Sequence, residues 1–272
     1  MNGLSINLAT LRGWDLRQAV DGCLRHGVTA ISPWRDQVQA LGLDRAARLV
    51  RDAGLRVTGL CRGGMFPAAT EQSRRAAIEA NRRAIAEAAA LRADCLVLVA
   101  GGLPEGSRDI EGARRMVRDG LAEILPEARA AGVRLGIEPL HPMYAADRAC
   151  VNTLAQALDL CDALGDGAGV AIDVYHVWWD PDLARQISRA GARIYAHHIC
   201  DWLVPTRDLL LDRGMIEAAG YFGPQEVEIF SAENWWKRDP DEVLETCIAR
   251  YRACCLTGAA SGPDAGADEA AG

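Results

Sequence analysis

Short apolar runs rich in valine and isoleucine recur along the chain, and each is followed by a longer stretch whose apolar residues return every three or four positions. Eight runs stand out, at 4–8, 28–33, 57–61, 95–100, 133–139, 170–174, 194–199 and 226–230. The stretches between them predict amphipathic helices. In 15–25, Leu16, Ala19, Val20, Cys23 and Leu24 share one face and Gly27 follows as a stop. The stretch 70–91 is rich in alanine and arginine, and 110–131 carries Pro126, a kink site, inside its helical pattern. Asp239-Pro240-Asp241 supplies a cap and a first-turn proline ahead of Val243, Leu244, Cys247, Ile248 and Tyr251.

Strand–helix alternation implies a parallel sheet, and eight units in about 255 residues match the count and length of a closed (β/α)₈ barrel. The predicted fold class is therefore α/β, a single (β/α)₈ TIM barrel spanning 1–256. A doubly wound open sheet loses ground because neither Gly-x-Gly-x-x-Gly nor a phosphate-loop motif follows the first run. Residues 257–272 are small and acidic without apolar periodicity, and read as a disordered tail.

Composition narrows the function classes. Of 272 residues, 50% are hydrophobic and 25% charged, the balance of a water-soluble globular chain. No apolar run approaches the ~20 residues needed to cross a bilayer, and the N-terminus lacks a basic leader, so the expectation is a cytoplasmic protein with no membrane partner. A formal net charge of −7, without a cluster of Lys or Arg, excludes a nucleic-acid backbone as the main partner. The nine cysteines are odd in number, form no C-x-x-C and sit in apolar surroundings, as reduced core thiols do.

In such a barrel chemistry collects at the carboxyl ends of the strands. His141, His176, His197 and His198 fall at or after the fifth to seventh runs, and all seven tryptophans, at 14, 34, 178, 179, 202, 235 and 236, follow run ends. Aromatic walls of that kind suit a polar ligand with apolar faces, such as a sugar. Three carboxylates interrupt apolar strands, where an unpartnered charge is costly: Glu138, Asp173 and Glu228. Alternation sets Asp173 opposite Ile172 and Val174, and Glu228 opposite Val227 and Ile229, so the three converge inward. One divalent cation explains the convergence, with separate arginine salt bridges as the alternative. His197 and His198 face opposite ways, and parity alone does not choose between them. Asp201 and the loop arginines Arg207 and Arg213 stand where substrate contacts would come from.

At these residues the chain resembles the sugar-phosphate isomerase/epimerase superfamily, the xylose-isomerase-like barrels that include tagatose and psicose 3-epimerases, hydroxypyruvate isomerases and inosose dehydratases. The resemblance covers about 3–255. The family's Glu on strand five, Asp-x-x-His on strand six, His-x-x-Asp on strand seven and Glu on strand eight match Glu138, Asp173 with His176, His198 with Asp201, and Glu228. Arg62-Gly63-Gly64-Met65 and the segment 230–236 also look like one branch of the superfamily. The resemblance implies Glu138, Asp173, His198 and Glu228 as ligands of one Mn²⁺ or Mg²⁺, with Co²⁺ or Zn²⁺ as alternatives. It implies Glu138 and Glu228 as the proton-transferring pair and His176 on a substrate hydroxyl. Asp201 and Arg207 would contact substrate, and Trp34, Trp178 and Trp202 would stack on carbon faces.

The activity so implied is isomerisation or epimerisation of a sugar, keto-sugar or polyol derivative through an enediolate. Its alternatives are a dehydratase of the same family or a weakly active, partner-dependent subunit. The partner is a small-molecule substrate, with a homo-oligomer left open. A related family, the apurinic-site endonucleases, needs a three-zinc site with more histidines and a basic face, which this chain does not supply. One departure is visible: between strands seven and eight the family carries a Gly-x-Gly-x-Ile-Asp loop and most of a helix, whereas Arg213-Gly214-Met215 here runs straight into 216–220. The expected barrel thus has a shortened connection between its seventh and eighth strands.

Overall fold

A computed structural model of the chain describes residues 3–200, 224–232 and 234–256. The shortened connection, the tail from 257, and Asp201, Trp202, Arg207 and Arg213 lie outside the described residues. Parallel strands β1 (Leu4–Asn7), β2 (Ala30–Ser32), β3 (Arg56–Val57), β4 (Leu60–Gly64), β5 (Leu96–Val99), β6 (Leu135–Glu138), β7 (Ala168–Asp173), β8 (Ile194–Ile199) and β9 (Gln225–Val227) form one sheet. Its order is β3-β2-β1-β9-β8-β7-β6-β5-β4. The two ends of that order, β3 and β4, are successive pieces of one extended run broken only at Thr58 and Gly59, and Trp34 bridges to Cys61 beside them. The sheet therefore closes on itself, and the eight runs of the sequence become eight barrel staves.

Most strands are shorter than their runs, and three differences bear on the site. The third run is split and continues to Gly64. The sixth strand covers Ala168–Asp173, and Val174 opens a short helix whose first turn Asp173 caps through the Tyr175 amide. The last strand ends at Val227, so Glu228 lies one residue beyond it.

The helical shell follows from local chemistry. Helix α1 (Leu16–Arg25) begins in a reciprocal box in which Asp15 accepts from the Gln18 amide and Gln18 accepts from that of Asp15. Its residues Leu16, Ala19, Val20 and Cys23 are buried, while Leu24 is 46% exposed and falls off the expected apolar face. Further round come α2 (Arg35–Leu41), α3 (Leu43–Asp52), α4 (Glu71–Leu91), α5 (Ile110–Ala130), α6 (Leu154–Leu164), α7 (Val174–Val177), α8 (Leu183–Ala190) and α9 (Pro240–Tyr251). Thr70 caps α4, Asp239 caps α9, and α5 runs on past Pro126. No described helix is long and apolar enough to cross a membrane.

The main apolar core lies between sheet and helices, and a second, smaller cluster of Cys61, Cys95, Val97, Ala171 and Ala196 fills the barrel's inside. These small side chains leave room above them, at the carboxyl ends of the strands.

One buried clamp fixes the rim there. Asn81 of α4 accepts a hydrogen bond from the Gly64 amide at 2.6 Å and donates to the Gly64 carbonyl at 2.7 Å. Gly64 has φ +104°, and a Cβ on it would stand 1.9 Å from the Val99 carbonyl oxygen, so no other residue fits. Asn81→Ala leaves both Gly64 groups buried and unpaired, and is expected to cost about 3 kcal/mol. Thermal denaturation should show a fall of several degrees, and an unchanged midpoint would show that the clamp is dispensable.

Candidate metal centre and active-site cavity

Register brings distant residues to one level. Asp173 is paired with His198 across β7 and β8, His198 with Glu226 across β8 and β9, and Val99 with Glu138 across β5 and β6. Ala171 and Ala196 lie two residues earlier on the inward face, so Asp173 and His198 point into the barrel. His197, the neighbour of His198, takes the opposite face. Burial and the charge of His198 push its pKa down to about 3, which keeps it neutral.

The ligand atoms of Glu138, Asp173, His198 and Glu228 all lie within 4.8 Å of one another, and all four residues are buried. His198 Nδ1 stands 3.0 Å from both Glu138 Oε1 and Glu228 Oε2. Asp173 is oriented by the Tyr175 amide, which donates to Oδ1 at 2.8 Å, with the Cys200 thiol at 3.8 Å.

The electrostatics of this cluster are those of crowded like charges. Burial and the neighbouring Glu228 and Glu138 push Asp173 well above its ordinary pKa, and burial raises Glu228. Burial also works against Glu138, but the close approach and charge of His198, with His176 and Arg62 adding to it, hold that carboxyl below its usual value. His198 is driven up by Glu228 and Glu226 despite burial.

The residues fit a divalent cation on two counts. Glu138 Oε1 and both ring nitrogens of His198 are buried without a properly directed hydrogen bond, although acceptors and donors stand 3.0 Å apart. Donors bound at about 2.1 Å to one ion lie about 3 Å from each other when adjacent, which is the spacing seen here. Three carboxylates and one imidazole suit Mn²⁺, Mg²⁺ or Zn²⁺ on donor chemistry.

Sequence parity also marks a residue that the motif comparison passes over. Glu226 lies two positions before Glu228 on the same face, 1% exposed, with Oε1 3.3 Å from His198 Nε2. Asn7 Nδ2 donates to Glu226 Oε1 and to Glu228 Oε1, each at 2.7 Å, and the Thr58 hydroxyl donates to Glu226 Oε2 at 2.9 Å. The Asn7 amide oxygen accepts from Trp34 Nε1 at 2.8 Å. Glu226 thus sits behind the imidazole as an anion that fixes which ring nitrogen carries the proton and leaves Nδ1 facing the cluster.

Above the cluster opens a cavity of about 600 Å³, with Trp34, Arg62, Tyr144, His176, Phe230 and Trp236 among its walls. His176 Nδ1 accepts from the His141 amide at 3.3 Å, and burial lowers its pKa to about 4. The ring is therefore neutral, with the proton on Nε2. Of the tryptophans expected on carbon faces, Trp34 is among the residues lining the cavity and Trp178 is not; Trp178 is 56% exposed. Trp179 instead donates to the His176 carbonyl at 2.8 Å, and Trp235 is packed into the core. Arg12, Arg62 and Arg148 line the cavity as well; Arg62, within β4, belongs to the Arg62-Gly63-Gly64-Met65 segment, whereas nothing in the apolar pattern singles out Arg12 or Arg148.

The fold is that of a parallel β/α barrel, and comparison with family models says which one. Residues 20–254 match the xylose isomerase-like TIM barrel family, and the chain belongs to it. Among solved structures, protein SMc04130 from Sinorhizobium meliloti 1021 is 66% identical, with TM-score 0.89, covering 93% of this chain and 98% of that one. The IOLI protein with a bound zinc atom superposes at TM-score 0.76 with 20% identity, covering 92% of this chain and 97% of that one. The 3-keto-D-glucoside 4-epimerase YcjR from E. coli superposes at TM-score 0.72 with 20% identity, over 88% and 95%. No curated protein matches the sequence.

Replacing Glu226 by Gln removes the anion behind His198 while keeping its size. Metal affinity is expected to fall about 10–100-fold, read by competition with a fluorescent chelator. An affinity equal to that of the parent would show that His198 needs no anionic support.

Proposed function

We propose that the chain is a divalent-metal-dependent isomerase or epimerase of a keto-sugar or related polyol derivative, working by removal and return of a proton beside a carbonyl. The observation that carries this reading is the convergence of Glu138, Asp173, His198 and Glu228 on one point at the floor of a cavity walled by aromatic rings. The fold relationship supports it, since one neighbour is an epimerase of a 3-keto-D-glucoside and another was solved with zinc.

A bound divalent ion supplies a Lewis acid that polarises the carbonyl and offsets the charge developing on its oxygen. The remaining steps belong to the chain's own residues. Glu138 comes from the end of β6 and Glu228 from just past β9, so their carboxylates reach the ligand from different sides. One takes the proton and the other returns it: return to the opposite face of the same carbon gives epimerisation, and return to the neighbouring carbon gives isomerisation. Asn7 and His198 hold the two oxygens of Glu228 and limit its rotation. His176, neutral and donating from Nε2, holds a substrate hydroxyl, while Trp34 and Trp236 present faces to the carbon skeleton. The partner in this reading is a small molecule, and the free, mostly buried thiols among the described cysteines suit a reducing cytoplasm.

Purified protein should hold about one equivalent of divalent metal, and chelation should lower its melting temperature, as expected when an ion binds only the folded state. In D₂O a ketose substrate should acquire deuterium beside the carbonyl, and Glu138→Gln or Glu228→Gln should slow that exchange about 10²–10⁴-fold. Full turnover after exhaustive chelation, or product formed with no solvent label in either direction, would sink the reading.

A further inference from the structure

The proposed function leaves the kind of sugar open, and three guanidinium groups at the cavity mouth bear on it. Arg12, Arg62 and Arg148 all line the cavity and are solvent-exposed. Each is laid against an aromatic ring of the same mouth: Arg12 over Trp236 at 5.1 Å, Arg62 over Trp34 at 5.9 Å and Arg148 over Tyr144 at 4.9 Å. The rings are joined in turn, since Phe230 meets Trp34 and Trp236 edge-on, with centroids 5.7 Å apart in both pairs. One side of the mouth is therefore a continuous arch running Arg62, Trp34, Phe230, Trp236, Arg12.

An aromatic ring gives a guanidinium no hydrogen-bond acceptor in its plane, so these contacts leave N–H donors for planar, two-point binding of an oxyanion. Among the described residues neither Arg12 nor Arg62 has a carboxylate partner, and Arg148 has only Asp147, at 3.7 Å. Arg62 is also firmly placed, because Gly64, two residues on, is held by both ends of the buried Asn81 amide.

The floor is built from buried carboxylates, Glu138, Asp173, Glu226 and Glu228, so the guanidinium groups that can meet an anionic part of the ligand stand at the mouth. From this arrangement, and resting on the proposed function, we infer that the substrate is an anionic monosaccharide. Its ketose head lies on the metal cluster, and a carboxylate or phosphate at its far end is bound by Arg12 and Arg62.

Three probes sharing one ketose head test this on metal-loaded protein: D-fructose, D-fructuronate and D-fructose 6-phosphate, which differ at C6. Calorimetry should show at least one anion binding more than about tenfold tighter than D-fructose, because charge-assisted hydrogen bonds are the stronger kind. Whether D-fructuronate or D-fructose 6-phosphate gains decides between carboxylate and phosphate. That preference should shrink as salt rises and should be lost in Arg12→Gln with Arg62→Gln, with metal content and melting temperature unchanged. Lysine at the same positions should restore part of it by charge alone. Equal binding and turnover of D-fructose and both anions would overturn this inference while leaving the metal-dependent reading intact, as would a preference that survives both substitutions. If no ketose of either charge binds, the proposed function fails and the inference falls with it.

Discussion

Four carboxylates and an imidazole enclosed at one end of a barrel set the terms for everything around them. Glu138, Asp173, Glu226 and Glu228 are each 6% exposed or less, and like charges so close cannot all be ionised without compensation. Several neighbouring polar groups are turned to that task. Asn7 donates to two of the carboxylates, Thr58 to one, and the Tyr175 amide to another. His198 is central because, among the described residues, it contacts three of them, with Nδ1 toward Glu138 and Glu228 and Nε2 toward Glu226. Taking out one member leaves the others as buried, uncompensated charges, so the cluster acts as a unit.

The fold meets the constraint through register. Parallel strands bring residues of equal depth side by side, and the inward face below the cluster is built from alanine, cysteine and valine, which occupy little of the barrel's width. Larger inward residues at Ala171 or Ala196 would push into the space where the carboxylates meet. The shell helices contribute mainly apolar packing, and α4 also sends Asn81 inward to hold the rim at the end of β4.

Much of this was legible in the sequence because period two is a strong signal when a charge breaks an apolar strand. Glu138, Asp173 and Glu228 announce themselves that way, and the eight apolar runs give the staves. The choice between His197 and His198 was not legible from parity, which needs a fixed inward reference; the pairing with Asp173 supplies it. Glu226 was overlooked for a different reason. It opens its run rather than interrupting one, so it resembles an ordinary polar strand start, and its partners Asn7 and Thr58 come from more than 160 positions away in sequence. Trp178 is the converse case: a position just past a strand end does not decide whether a side chain turns inward, and Trp178, directly after the short α7, is exposed.

The chain carries a formal net charge of −7, yet its cavity mouth is edged by guanidinium groups, and this opposition gives the site a direction. A ligand with oxygens at one end and an anion at the other finds favourable contacts for both only when the anion stays outermost. Reversed entry sets the anion among buried carboxylates and leaves the arginine edges unfilled, which costs at both ends. Orientation therefore follows from the field before any single hydrogen bond forms. The aromatic arch adds to this, since Phe230 is in contact with both Trp34 and Trp236 and each tryptophan carries one of the arginines at the mouth.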